Sequence, residues 1–309
     1  MQLACTDDGS TVRSLLRVSR YYNAIAMPYT FRSLSLCGPE RMARVSALLQ
    51  RTPSHLRHIH HLFISDKYAG IDEHSSGRQR ALSYPPSVAR ASDICKIIAL
   101  AAPTLETLAF CGLVDSTSLI SQMFRTHFPE LRELSILGFY PFPSSPSTMP
   151  KLQRLHLAGN RNPHGLLQLG GLASACPSIS HLRLSGIMGA VAFSEELRAA
   201  FASQANHDDS RPVPSPASPT AFAAMLPSSI RYVAVQPTII EVRGGRRGAL
   251  HAKEEAMMQN LRDLHTRSEE SDFARFSLLE GRKQDITVAA MKDDWVKRLT
   301  GDDGCWASS

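Results

Sequence analysis

Apolar and polar residues alternate in short runs along this chain, and each run follows a proline. A phrase of proline, leucine or isoleucine, leucine and a final apolar residue spans residues 103–110, 129–136, 150–157 and 177–184. A fifth copy spans residues 227–235, with one residue inserted after its proline. The alternation that ends each copy has the two-residue period of a β-strand. The pattern therefore predicts five short strands that repeat one local structure.

A helical pattern precedes most of these prolines. Apolar residues recur at helical spacing before Pro103, Pro129, Pro177 and Pro227. Proline ends each helix, because it has no backbone N–H and disfavours helical geometry at the residue before it. The repeating unit is therefore helix, turn and strand. Consecutive strands of such units must run parallel, with the helices on the outer face.

The spacing of the copies resembles that of leucine-rich repeats. The first four prolines are separated by 26, 21 and 27 residues, and the fifth follows after 50. Pro53 lies 50 residues before Pro103 and opens a looser copy at residues 56–64. Leucine-rich repeats have a period of about 20–29 residues, and Asn160 occupies their signature asparagine position. The resemblance implies an α/β solenoid with parallel strands on its concave face and helices outside.

The pattern also divides the chain. We predict irregular repeats over residues 39–245, with disordered insertions near residues 69–92 and 205–220, which are poor in apolar residues. Residues 246–309 are predicted to cap the repeats, with a helix near 251–265, a strand near 273–279 and a short helix near 288–299. Terminal units of a solenoid differ from the inner ones because they cover its exposed core.

Residues 1–38 carry a different pattern. Apolar positions between residues 11 and 26 fall mostly on one helical face, and residues 30–36 alternate as a strand. The succession Leu15-Leu16, Val18-Ser19, Ile25-Ala26, Pro28 and Phe31-Arg32 resembles the second half of an F-box. It is most similar to the form that precedes leucine-rich repeats in fungal F-box proteins. The leucine-proline helix that opens an F-box is not found in residues 1–10, so we expect the F-box to be incomplete on its N-terminal side.

This resemblance implies a function. An F-box protein with leucine-rich repeats is a substrate-recognition adaptor of a Skp–cullin–F-box ubiquitin ligase, and it is not itself an enzyme. The segment would bind a Skp-type linker protein, and the repeats would select an unknown client protein. The residues that the resemblance assigns to the linker protein are Leu15, Leu16, Val18, Ile25 and Phe31. The alternative is a leucine-rich-repeat scaffold that has no ligase role.

Strand register predicts where a client would bind. If the leucines of each phrase point into the core, the residues between them point out of the concave face. We expect six such residues to contact the client: Glu133, Arg154, His156, His181, Arg183 and Tyr232. Arg154, His156, His181 and Arg183 lie on adjacent strands, and this basic patch suits an acidic or phosphorylated client segment.

Composition narrows the remaining classes. The 309 residues include 34 Lys and Arg against 28 Asp and Glu, and no basic cluster is interleaved with aromatics, so nucleic-acid binding is not predicted. The longest apolar run, residues 94–102, is too short to span a membrane, and no secretory signal is present. We therefore expect no membrane partner and a cytoplasmic and/or nuclear location.

The sequence contains no familiar catalytic or cofactor motif. Gly-x-Ser-x-Gly, a phosphate-binding P-loop and His-Glu-x-x-His are all missing, so neither an enzyme nor a cofactor is predicted. His55, His58, His60 and His61 lie close together in the sequence. Strand alternation sends His58 and His60 to one side and His61 to the other, so no metal site is predicted.

Overall fold

The computed structural model describes residues 7–66, 87–112, 117–143, 145–205, 224–239, 247–268 and 274–307. The chain divides into two compact units. The first unit comprises Met1–Phe139 together with Ile286–Ser309, and the second comprises Tyr140–Asp285. The C-terminal residues therefore belong to the same unit as the N-terminal ones.

Helices and strands of the described residues follow the predicted order, except before Pro227. The helix expected there is not found in residues 224–226, where Ala224 forms an isolated bridge with Gln168. The helices are α1 (Ser10–Leu15), α2 (Arg20–Ala26), α3 (Pro39–Arg51), α4 (Ser87–Ala101), α5 (Thr117–Arg125), α6 (Gly171–Ala175), α7 (Val191–Ala205), α8 (Arg247–Ser268) and α9 (Val288–Leu299). The strands are β1 (Ser33–Cys37), β2 (His61–Ser65), β3 (Thr107–Cys111), β4 (Glu133–Leu137), β5 (Arg154–Ala158), β6 (His181–Ile187), β7 (Tyr232–Pro237) and β8 (Arg275–Leu278). Each of the five proline–leucine phrases ends in one of the strands β3 to β7.

The first unit is built on four parallel strands in chain order, β1-β2-β3-β4. Their registers match, so that Leu34 lies beside Leu62, Leu62 beside Leu108 and Leu108 beside Leu134. All four leucines are buried. Burying a leucine side chain stabilises a fold by about 1.5–3 kcal/mol relative to leaving it exposed. The phrase repeats in the sequence because each strand adds the same leucine to this row.

The second unit repeats the arrangement with β5-β6-β7-β8. Leu155, Leu182, Val233 and Phe276 form its buried row. The register between β6 and β7 shifts between Ser185 and Ile187. The α/β class and the parallel strands are therefore confirmed in both units.

A buried glutamate holds the loop after β5 in place. The carboxylate of Glu196, on α7, accepts hydrogen bonds from the backbone N–H groups of Gly165 at 2.5 Å and Leu167 at 2.6 Å. The same carboxylate lies 2.9 Å from Nδ1 of His164. This side chain is buried, whereas that of the neighbouring Glu195 is exposed. Glu196 therefore satisfies two backbone donors that no strand or helix pairs.

The helix predicted over residues 11–26 is wrong in one respect, because two helices form there. Ser19 separates them in an extended conformation, and its Oγ accepts a hydrogen bond from the backbone N–H of Tyr22 at 3.2 Å. A serine at this position caps the helix that follows it. The spacing of the apolar residues fits one long helix as well as two short ones. It therefore did not reveal that Ser19 caps a second helix.

Both predicted insertions lie mostly outside the described residues. The exceptions are residues 87–92, which form the first part of α4, and Ala205, which ends α7. In the tail, the predicted helix, strand and short helix correspond to α8, β8 and α9. α8 and β8 belong to the second unit, whereas α9 belongs to the first. None of the helices in the described residues has the length and apolar character that a membrane span requires.

Candidate protein-interaction surfaces

Hydrogen bonds fix the first turn of the N-terminal segment. The Asp7 carboxylate accepts hydrogen bonds from the backbone N–H and the hydroxyl of Thr11, at 2.8 and 2.6 Å, and from the hydroxyl of Ser10 at 2.7 Å. Burial raises the pKa of Asp7, but these hydrogen bonds outweigh it and hold the pKa below its usual value. Asp7 is therefore ionised at neutral pH, next to the positive end of a helix dipole.

A small apolar core joins α1 to α2. Val12 and Ala26 are buried, and Leu15, Leu16 and Tyr29 pack against them. The side chain of Asn23, on α2, donates a hydrogen bond to the backbone carbonyl of Leu16 at 2.9 Å. These contacts hold α1 and α2 together as one helical segment.

The same segment exposes large apolar side chains. Val18 is 63% exposed, Tyr21 71% and Met27 53%, and Tyr22 is exposed as well. The rings of Tyr21 and Tyr22 meet edge to face, with 5.8 Å between their centroids. We call Val18, Tyr21, Tyr22 and Met27 the N-terminal apolar residues. Exposed side chains of this kind mark interaction sites when they concentrate in one segment.

The structure distributes the five predicted linker-binding residues between two environments. Val18 is exposed, whereas the other four are half-buried: Leu15, Leu16, Ile25 and Phe31. Leu15 and Leu16 pack within the segment itself. Tyr21, Tyr22 and Met27 are exposed residues that are not among the five predicted from the sequence. Helical periodicity predicts that an apolar residue lies in the core. Because α1 and α2 are short, some of their apolar side chains remain on the surface.

In the first unit, the face that was expected to bind a client is covered by the chain itself. Phe63, Ala109 and Cys111, from β2 and β3, form a buried cluster with Met291 and Trp295 of α9. The rings of Phe63 and Trp295 lie 5.8 Å apart between centroids. The Trp295 indole N–H donates a hydrogen bond to Oγ1 of Thr107 at 3.3 Å. On this face Ala109 and Ser135 are therefore buried and Thr107 is half-buried, so the expectation that residues between the leucines are exposed is wrong here.

Glu133 illustrates this correction. It is buried, and its carboxylate forms an ion pair with the buried guanidinium of Arg298 on α9. Arg298 also lies 3.2 Å from the carboxylate of Asp294 and donates a hydrogen bond to Oγ of Ser135 at 3.4 Å. Burial lowers the pKa of Arg298 from its ordinary value. The carboxylate of Glu133 thus pairs with Arg298 of its own chain in this structure.

In the second unit, four of the predicted client-binding residues lie half-buried on β5, β6 and β7: Arg154, His181, Arg183 and Tyr232. The rings of His181 and Tyr232 lie 5.9 Å apart between centroids. Arg183 donates hydrogen bonds to the side chain of Gln236 at 3.1 Å and to Oγ of Ser185 at 3.3 Å. Strand register therefore places this group on neighbouring strands, as predicted.

His156 is the exception in the second unit. It is buried, and its Nε2 lies 3.0 Å from Oγ of Ser185, so its expected exposure is also wrong. Burial, together with the nearby charges of Arg183 and Arg282, lowers the pKa of His156 to about 3. Burial and then Arg154 also lower the pKa of His181. Both histidines are therefore neutral at pH 7, and the arginines alone supply the positive charge of this face.

His60, directly before β2, and His61, the first residue of β2, have separate structural partners. Nδ1 of His60 lies 2.7 Å from the carboxylate of Glu106, and Nδ1 of His61 lies 3.1 Å from Oγ1 of Thr107. Burial lowers the pKa of His61 to about 4. Each ring therefore connects β2 to the start of β3.

Comparison with known proteins adds no relative. No family model matches this chain, and neither a curated protein nor a solved structure matches it. The likeness to an F-box followed by leucine-rich repeats therefore stays a prediction that rests on the sequence pattern. The exposure and burial of the described residues provide the remaining arguments about function.

Proposed function

We propose that this protein is a non-catalytic protein-interaction module, and that it is the substrate-recognition adaptor of a Skp–cullin–F-box ubiquitin ligase. One observation carries the proposal: the segment that resembles an F-box has large apolar side chains on its surface. Val18, Tyr21 and Met27 each expose more than half of their area. Aromatic residues and methionine are enriched at protein interfaces, so a linker protein is a fitting partner for this segment.

The proposal extends to the repeats, which we interpret as an irregular leucine-rich-repeat solenoid. Strands in chain order, leucines in phase and helices between the strands support this interpretation. In the second unit, Arg154, His181, Arg183 and Tyr232 offer two guanidinium groups beside two aromatic rings. This combination suits a client segment that carries carboxylates or phosphates.

A scaffold without a ligase role is the second candidate, and a specific observation favours it. Leu15 and Leu16, two of the five residues assigned to the linker protein, pack against Val12 and Ala26 within their own segment. α1 has only six residues. A helix this short, with its leucines already in contact, has less surface left for a partner.

Co-purification with a Skp-type linker protein tests the ligase role. We expect the wild-type chain to retain the linker protein, and Tyr21→Asp to reduce retention at least about tenfold, because a charge in an apolar interface must lose its water. Leu48→Asp is the matched control, since Leu48 is 52% exposed on α3 and lies outside the segment. If neither the wild type nor Leu48→Asp retains the linker protein, the scaffold remains as the function.

A further inference from the structure

We propose that the C-terminal segment, residues 286–307, is a detachable internal ligand of the first unit and not a permanent part of its core. The segment consists of α9 and the 3₁₀ turn Gly304–Trp306. It occupies the face of β1 to β4 opposite the leucine row. The idea that this face binds a client rests on the proposed function. The detachment of the segment does not depend on that function.

The polarity of the covered face is the first argument. Its described residues include Thr107 and Glu133, which are register partners, and Ser35 and Ser135, which lie in one row with Phe63 and Ala109 between them. The opposite face carries the leucine row and no polar side chain from the same strands. A sheet face that is permanently in a core would leave such polar groups without water. Polar groups on this face remain satisfied by water when α9 leaves.

The way in which α9 binds is the second argument. Met291 and Trp295 are four residues apart and fully buried, and Leu299 follows four residues later at the edge of the same cluster. This spacing places the three side chains on one side of the helix. Binding partners that lie as amphipathic helices in a groove use the same arrangement of anchors.

Four more apolar side chains of the segment pack against this cluster: Ile286, Val288, Val296 and Leu299. The other contacts are polar. Trp295 donates to Thr107, Lys292 lies 3.2 Å from Asp8, and Arg298 pairs with Glu133. A buried ion pair contributes little net stability compared with apolar packing of the same volume. Interfaces that open and close are also more polar than permanent ones. α9 is therefore held by apolar side chains along one side and by charges that water is able to replace.

Release of the segment would regulate the first unit. While α9 is bound, the guanidinium of Arg298 is paired with the carboxylate of Glu133, and Trp295 covers Phe63 and Ala109. A client helix with the same apolar spacing and a cation one turn further on would fit the vacated face. The segment thus acts as an autoinhibitory contact, which a client must displace.

Hydrogen exchange on the full-length protein tests the proposal. We expect the backbone amides of α9 to exchange through an opening that leaves the amides of β3 protected and that depends only weakly on denaturant. Exchange of α9 and β3 amides in one common event, with the same denaturant dependence, would overturn the proposal, because the segment would then be inseparable from the core.

A pair of glycine variants sharpens this test. A Cβ at Gly304 would lie 2.5 Å from Oδ1 of Asp294 and 2.9 Å from Cγ of Arg298, whereas a Cβ at Gly301 would have no neighbour within 4 Å. Both glycines have positive φ. Gly304→Ala should speed the exchange of α9 about tenfold more than Gly301→Ala does, with β3 unchanged. Equal effects in α9 and β3 would count against detachment.

The outcome is separable from that of the linker-protein experiment. A chain that retains no Skp-type linker but opens at α9 alone refutes the ligase role and keeps the internal ligand. A chain that retains the linker but opens only as a whole does the reverse. The substitutions of the two experiments lie in different segments, so neither result depends on the other.

Discussion

Glu196 is the residue whose replacement gives the clearest stability prediction. Glu196→Gln should lower the free energy of unfolding by about 1–3 kcal/mol, because the amide that replaces the carboxylate is a weaker acceptor for the N–H groups of Gly165 and Leu167. Glu195→Gln removes the same charge from the next, exposed position and should change stability by less than about 0.5 kcal/mol. Urea unfolding of both variants measures the difference, and equal losses would contradict this role.

Also at the residue scale, the residues between the leucines show how much of the structure the alternation of apolar and polar residues predicts. It correctly sorts residues into two faces: Leu155 and Leu157 lie on one, and Arg154 and His156 on the other. It gives no information about what covers the second face. Glu133 is buried by Arg298, which is distant in the sequence, and the pattern around Glu133 contains no trace of that contact.

At the scale of elements, β5, β6 and β7 lead to a binding prediction. Acidic and phosphorylated peptides on an array should bind the wild-type chain and lose most of that binding in Arg154→Ala/Arg183→Ala, since both guanidinium groups lie on this face. Arg161→Ala/Arg262→Ala removes the same net charge from other sites of the second unit and should bind like the wild type. Equal binding by both double variants would show that these strands do not select the peptides.

Elements also differ in how well their sequence predicts them. Each strand that follows a proline–leucine phrase was predictable, because turn, alternation and burial all agree there. The N-terminal helix was not resolved into α1 and α2, since a single serine cap decides between one helix and two. α9 was predicted as a helix, but its position on the first unit was not, because amphipathicity does not identify a partner surface.

At the scale of the whole molecule, two histidines with lowered pKa values predict a loss of stability in acid. The pKa of His61 is about 4 and that of His156 about 3 in the folded chain, whereas an unfolded histidine titrates near about 6.5. Between these values the unfolded state binds protons that the folded state does not. Stability is therefore complete above about pH 6.5 and falls as the pH is lowered through about 4 towards about 3.

Urea unfolding across this range measures the effect, and one variant isolates a single histidine. His61→Gln should flatten the profile, because the side chain that resists protonation is gone. His55→Gln is the matched control, since His55 is exposed. A profile for His61→Gln as steep as that of the control would show that His61 does not contribute.

The α/β class, the strands of the repeated phrase and the face on which each strand residue lies follow from the local sequence, because these depend on local period and on proline geometry. The division into two units, the burial of Glu133 and His156 and the site where α9 binds do not follow from it and are known only from the folded chain. Each of these depends on contacts between residues far apart in the chain, such as Trp295 with Phe63 and Lys292 with Asp8. A local sequence pattern predicts which side chains are buried. Only the folded chain determines which residues bury them.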